Sequence, residues 1–173
     1  MCDGGKWIDA DSIYLHENLL NLLTPNSESS ENSCPYGWKV MPSQLRSGSL
    51  GCRCYRYFEY KTKWSEAQKY CRKEYSGNLS SIFDLEHLDW LWREVAGGNS
   101  FWIGLNRWNR ESESGWLYSD GFQGRYRNWA PSAELDEQQK RCATVSEKLS
   151  WQKVRCSQTN RFLCQMDCSL YGS

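Results

Sequence analysis

Apolar residues recur at helical spacing through the first half of this chain and gather into short runs bounded by turn residues in the second. Leu15, Leu19, Leu22 and Leu23 fall at i, i+4, i+7 and i+8, the spacing of one apolar helical face. A patch this short needs something to pack on, either its own domain or another chain. The polar, acidic stretch from Thr24 to Ser33 lacks aromatic residues and reads as a linker. Alternating aromatic positions in Cys34–Val40 and Cys52–Phe58, separated by the polar segment Pro42–Gly51, predict a hairpin with an enlarged loop. A first helix is predicted with Thr62 as N-cap, an inner face of Trp64, Ala67, Gln68, Cys71 and Tyr75, and an end at Ser76-Gly77. In a second helix, Asp84 is the cap, Leu85, Leu88, Trp92 and Val95 point to the core, and Gly97-Gly98 ends it.

The apolar run Ser100–Leu105 then reads as a buried strand, with Gly104 where another backbone or a large ring approaches closely. A charged loop (Asn106–Ser114) leads to Gly115–Gly121, which ends in a turn signal. From Phe122 to Cys142 there is no strong periodicity, and a loop this long in a compact domain is usually functional. Cys142–Ser146, Trp151–Val154 and Arg161–Cys164 are short strand candidates. Two helices early and several strands late indicate an α+β domain.

Composition sharpens this picture. A length of 173 residues suits one domain with appendages, and ten Trp with ten Tyr supply a bulky core. Nine cysteines, at 2, 34, 52, 54, 71, 142, 156, 164 and 168, read as a disulfide framework formed in an oxidising compartment. Spacing alone does not give the pairing, since eight cysteines allow on the order of 100 connectivities. Ile13–Leu23 contains His16, Glu17, Asn18 and Asn21, so it is no secretion signal, and no apolar stretch is long enough to cross a bilayer. Such a chain is expected to be a mature product or an excised ectodomain, without membrane insertion of its own. Residues 1–33 carry one lysine against six acids, and residues 34–167 carry twenty basic residues against fifteen acids. Those bases are scattered among acids, which speaks against a nucleic-acid partner.

In order along the chain stand Cys34-Pro-x-Gly-Trp, Cys54-Tyr, Trp64-x-x-Ala67 with Cys71, Gly77-x-Leu79-x-Ser81-Ile82, Trp102-Ile-Gly-Leu105, Trp116-x-Tyr118-Ser-Asp-Gly121, Trp129, Cys142, Trp151, Cys156 and Phe162-x-Cys164. With these pieces, residues 34–167 resemble the C-type lectin-like domain family. The resemblance leaves out the N-terminal segment 1–33 and a short tail, 168–173. It implies two helices, two small antiparallel sheets and a long loop region, braced by disulfides. It also implies bridges Cys71–Cys164 and Cys142–Cys156 and, in the longer form of the family, Cys34–Cys54. Cys2, Cys52 and Cys168 depart from that pattern. Because the ends of the family's domain lie close together, Cys168 is expected to bond Cys52, leaving Cys2 for an intermolecular bridge or another partner. A zinc site on Cys52-x-Cys54 is disfavoured, since extracellular thiols oxidise and neither histidine is near in sequence.

Sugar-binding members of the family hold calcium with Glu-Pro-Asn or Gln-Pro-Asp in the long loop, an acid just before the next Cys, and Trp-Asn-Asp on the following strand. Here the corresponding positions are Glu134-Leu135-Asp136, Lys140-Arg141-Cys142 and Trp151-Gln152-Lys153. A hard cation wants six to eight oxygen ligands, and ammonium groups beside it repel it. No calcium in the sugar site, and no other cofactor, is expected. Arginines with aromatic residues remain, the composition of protein-binding hot spots. Arg107, Trp108, Arg110, Arg125, Arg127, Glu134, Asp136, Lys140 and Lys153 are the ligand-contact candidates, with Tyr126 and Trp129 beside them. His16 and His87 are isolated, and no motif for a nucleophile, a phosphate loop or a metalloprotease is present, so catalysis is not expected. Asn78-Leu79-Ser80 is a glycosylation acceptor triplet. The leading expectation is a secreted or cell-surface recognition module that binds a protein without calcium. Its rivals are a carbohydrate lectin with a nonstandard site and a structural spacer in a larger adhesion or matrix protein.

Overall fold

A computed structural model describes residues 34–45, 51–108, 115–131 and 138–168. The predicted amphipathic segment at 15–23, Cys2 and the linker lie outside them. In chain order the elements are β1 (Lys39–Val40), β2 (Arg53–Lys63), α1 (Trp64–Tyr75), β3 (Asn78–Leu79) and α2 (Leu85–Trp90), which runs into a π-helical turn (Leu91–Val95). They continue with β4 (Phe101–Asn106), β5 (Leu117–Tyr118), β6 (Cys142–Val145), β7 (Trp151–Val154) and β8 (Thr159–Asp167). Strand order is β1-β2-β8-β4-β6-β7, with β3 on β8 and β5 on β4. The pairings are antiparallel except between β4 and β8, where Trp102 lies opposite Phe162 in parallel sense. That one parallel contact joins two antiparallel groups of strands, so the expected pair of small sheets is a single connected mixed sheet.

The hairpin forms as its alternating aromatics predict, Lys39 opposite Tyr55 and Val40 opposite Cys54. Its second strand runs five residues beyond Phe58, and this corrects the expected cap. Thr62 lies inside β2, opposite Asn160, and α1 starts at Trp64 with no side-chain cap. The Trp64 amide donates instead to the Cys156 carbonyl, so a tertiary backbone acceptor serves one of the helix's unpaired N–H groups. Trp64, Ala67 and Cys71 are buried as the helical spacing requires. At the end of α1 it is Ser76 that takes the left-handed conformation, with φ of 53°. Gly77 serves a different purpose: a Cβ there would lie 2.2 Å from the Gln165 carbonyl oxygen of β8.

The second helix carries another correction. Asp84 caps it as expected, its Oδ1 accepting from the His87 amide at 2.8 Å. Leu85, however, is 54% exposed, while Leu88 and Leu91 are fully buried and Trp92 and Val95 only partly so. The helix widens at Leu91 into the π turn, and the extra residue per turn rotates the inner face away from the 3.6-residue pattern.

Strand β4 divides the core. Phe101, Ile103 and Leu105 face one apolar cluster, with Tyr55, Leu88, Leu91, Trp151 and Leu163. Trp102 faces the other, with Trp38, Phe58, Trp64, Ala67, Leu79 and Phe162. A Cβ on Gly104 would stand 2.8 Å from both the Leu79 carbonyl oxygen and Ser119 Oγ, so the close approach expected there is by neighbouring segments and not by a ring. Four bridges staple the domain: Cys34–Cys54, Cys52–Cys168, Cys71–Cys164 and Cys142–Cys156.

Gly77→Ala forces its methyl group into a backbone carbonyl that cannot rotate aside, so denaturant unfolding is expected to show a loss of about 2 kcal/mol or more. A second prediction concerns acid stability. His87 is fully buried between Phe83 and Trp90, its Nδ1 accepting from the Phe83 amide at 3.3 Å. Burial, and then the Arg53 charge, depress its pKa from 6.5 to about 3. Between those values the unfolded chain binds a proton that the folded chain refuses. Stability from this group is therefore full above about 6.5 and falls on acidification, by at most about 1.4 kcal/mol per pH unit. In His87→Phe that part of the acid slope should vanish from melts taken between about pH 3.5 and 6.5, whatever the variant's stability at neutral pH.

Candidate functional site

The described parts of the chain between β5 and β6 have little regular structure, and side chains hold them in place. They start at a turn fixed by Asp120, a nearly buried carboxylate. Its Oδ2 accepts from Ser81 Oγ and Gln165 Nε2, both at 2.6 Å, and from Arg53 at 3.4 Å, while Oδ1 accepts from the Phe122 amide at 3.0 Å. One carboxylate thus ties the turn to β2, β8 and the segment after β3. Arg127 braces the next part from within. Its Nη1 donates to the carbonyls of Gly124 (2.9 Å) and Tyr126 (2.7 Å), its Nη2 to that of Trp116 (3.2 Å), and its guanidinium lies 5.5 Å from the Tyr118 ring centre.

The loop then runs alongside β7. Trp151 donates its amide to Asn128 O at 2.8 Å, Ala130 donates to Trp151 O at 2.9 Å, and Asn128 Nδ2 reaches Leu149 O at 2.8 Å. Trp129 packs against Trp116 (4.8 Å between centroids) and edge-on to Trp151 (5.7 Å), with Tyr126 on another side of Trp151 at 5.5 Å. Trp129 is therefore part of the packing. The Lys153 ammonium rests 5.5 Å from the centre of the Trp129 ring, a cation–π contact that joins β7 to the loop.

The sequence-derived contact candidates separate into two places. Arg125, exposed, and Arg127 and Lys153, both half-buried, stand around the Trp129 corner. Arg107 and Trp108 directly follow β4 beside the chain that leads into β6, where the Arg107 amide donates to Arg141 O at 2.8 Å. Lys140 is half-buried in that same chain. Arg110, Glu134 and Asp136 lie outside the described residues. Asn78 is half-buried in β3, opposite Gln165, and its Oδ1 accepts from Gln68 Nε2 at 2.8 Å, so its side chain is engaged with α1.

Among the described residues, few donors suit a calcium ion. At the sequence positions that correspond to the calcium ligands of the family's sugar binders, β7 offers Gln152 and Lys153 and the chain before β6 offers Lys140 and Arg141. No anionic oxygen is among them, and the Lys153 ammonium lies on the Trp129 ring. Among the described residues the one grouping with metal-like spacing is Cys34, Cys54 and Cys168, whose sulfurs are all spent in bridges.

Sequence reasoning passed over two arginines. Arg141 and Arg155, with Trp108, Gln139, Cys156 and Ser157, line an open cavity of about 400 Å³. Each arginine directly precedes a cysteine of the Cys142–Cys156 bridge, and that bridge makes neighbours of the residues in front of it. The pairing, once known, was the available signal.

Residues 60–166 match the family model described as Lectin C-type domain. The human FRAS1-related extracellular matrix protein 1 is 30% identical over 139 residues, covering 78% of this chain but 6% of that protein's own length. A snaclec from Gloydius halys, one of the subunits of its coagulation factor IX/factor X-binding protein, is 28% identical, with 88% of this chain and 97% of the snaclec covered. Among solved structures, the carbohydrate-recognition domain of the mouse scavenger receptor C-type lectin superposes with a TM-score of 0.66 at 26% identity, covering 80% of this chain and all of that one.

If Arg127 is the internal brace of the loop, Arg127→Met keeps the aliphatic stem but strands the carbonyls of Gly124, Tyr126 and Trp116. A loss of about 1 to 3 kcal/mol is expected, with faster amide hydrogen exchange confined to the segment from Phe122 to Asn128. Uniform protection across that segment in the variant would count against the role.

Proposed function

This chain belongs to the Lectin C-type domain family, and from that premise we propose that it is an extracellular recognition module that binds a protein ligand without calcium through its long-loop face. One observation carries the reading: the Lys153 ammonium occupies the Trp129 corner, where a calcium-dependent site needs anionic oxygens. A face without an ion recognises its ligand through side chains, and arginine and tryptophan are the residues that dominate protein interfaces. The related snaclec is named for binding coagulation factors, which supports a protein as the class of ligand. Four disulfides and a matrix protein among the relatives support an oxidising, extracellular setting.

The mouse scavenger receptor domain is named for carbohydrate recognition, so the test must separate sugar from protein. A calcium site of micromolar affinity would raise stability by about 4 kcal/mol in millimolar calcium, a shift of several degrees in Tm. The expected result is the same Tm in calcium and in EDTA, and capture of a membrane or matrix protein that persists in EDTA. A calcium-dependent rise in Tm together with chelator-sensitive binding on a glycan array would overturn the reading.

A further inference from the structure

We infer that the cavity beside the Cys142–Cys156 bridge is a docking site for a short acidic peptide segment carrying an aromatic residue, supplied by the partner protein. The site rests on the protein-ligand reading above and gives that partner its chemistry.

The cavity holds about 400 Å³, the size of one or two side chains, and Trp108, Gln139, Arg141, Arg155, Cys156 and Ser157 line it. Trp108 is 51% exposed, and Trp64 lies behind it, 6.5 Å away between ring centroids. Trp64 is itself fixed, buried and donating its Nε1–H to Ile103 O at 2.8 Å. Trp108 thus presents one ring face outward from a rigid support, at little cost in side-chain entropy on binding.

Among the described residues, the charge lining the cavity has one sign. Arg141 and Arg155 are the charged side chains that line it among the described residues. Arg155 is exposed, and its guanidinium has no hydrogen bond or ion pair among the described residues. Arg141 commits Nε to the Gln138 carbonyl at 3.1 Å, which holds the side chain in place while using one of its five N–H donors. Two guanidinium groups beside an aromatic face match carboxylates flanking a ring, since the planar fork binds a carboxylate in bidentate fashion and the ring stacks.

A long polyanion fits less well. Over residues 34–167 the twenty basic residues are scattered among fifteen acids and not massed in a run, so no extended positive track draws in a sulfated polysaccharide or a nucleic acid. The cations form a compact cluster around one ring, which suits one or two carboxylates close together more than a repeating charge track.

The test is fluorescence polarisation on the full chain with a labelled Gly/Ser peptide containing an Asp-Tyr-Glu core, against the same peptide with Asn-Ala-Gln. The acidic peptide is expected to bind, to weaken as salt rises, and to ignore EDTA. Trp108→Ala, Arg141→Gln and Arg155→Gln should each weaken it roughly tenfold or more, while Arg72→Gln, on exposed α1, should not. Ser157→Glu places a carboxylate beside the arginines without removing any of them and should also abolish binding. Melting temperatures matching the parent chain establish that each variant folds. Equal binding of both peptides, no response to the cavity variants, or a heparin hexasaccharide bound in place of the peptide and lost in the same variants would each overturn the proposal. If the peptide fails while EDTA-resistant protein capture persists, this site is wrong and the protein-ligand reading stands. If capture proves chelator-sensitive while the peptide still binds, the reverse holds.

Discussion

Hydrogen bonding between β2 and β8 sets the two ends of the domain side by side, and most other elements are placed by one of those strands. Strand β3 pairs with β8, β4 meets it at Phe162, and α1 is tied to it by Cys71–Cys164. Contacts between residues so far apart in sequence are costly to form, because the chain between must be closed before they contribute. Bridges at sequence separations of 93 and 116 restrict the unfolded chain instead, by about 4 to 5 kcal/mol each in the entropic account. Cys168 also donates its amide to Cys52 O at 3.1 Å, so the outermost bridge coincides with the last rung of the ladder. With the ends secured in this way, the fold tolerates long connections that contribute little to its core.

The loop face uses that tolerance without becoming shapeless. Asp120 draws four donors onto one carboxylate, in an interior where an unpaired charge would be prohibitively costly. Arg127 is its counterpart of opposite sign, turning three loop carbonyls toward one guanidinium. Between them, Trp116, Trp129, Trp151 and Tyr126 form a run of ring contacts that fills the space under the loop. The described parts of the loop are thus ordered by side-chain chemistry where regular hydrogen-bond ladders are missing.

How much of this was legible depended on whether the signal was local. The apolar run Ser100–Leu105, the Asp84 cap and the hairpin aromatics each encode their structure within a few residues, and each reads correctly. Thr62 misleads because a good cap residue lies one residue before the last position of a strand, and a carbonyl from Cys156 takes over the capping task. Leu85 misleads because it is the first residue of α2, where the apolar spacing continues but the core does not, and the period that grouped it with Trp92 and Val95 is broken at the π turn Leu91–Val95. At the site, Lys153 was legible as a charge in the wrong place for calcium, whereas its resting place on Trp129 was not, since β7 and the loop meet only in three dimensions. Arg141 and Arg155 were hidden for the same reason: thirteen other residues separate them, and the bridge brings them together.

The Trp129 corner shows how one position can serve both architecture and recognition. A divalent ion shared by a loop and a strand would hold the two together and also present a charge to solvent. Here the joining is done by Lys153 on the Trp129 ring and by backbone bonds of Trp151 with Asn128 and Ala130. A cation–π contact at a partly exposed ring contributes about 0.5 to 1 kcal/mol, far less than a bound ion, so the backbone bonds and the buried tryptophans must carry most of the attachment. The ammonium is then a light fastening, and it leaves the outer surface without a strong central ligand-binding charge. In the calcium-free reading proposed above, recognition is spread over several side chains, and half-exposed Trp108 with its neighbouring arginines is where the described surface concentrates the residue types suited to it.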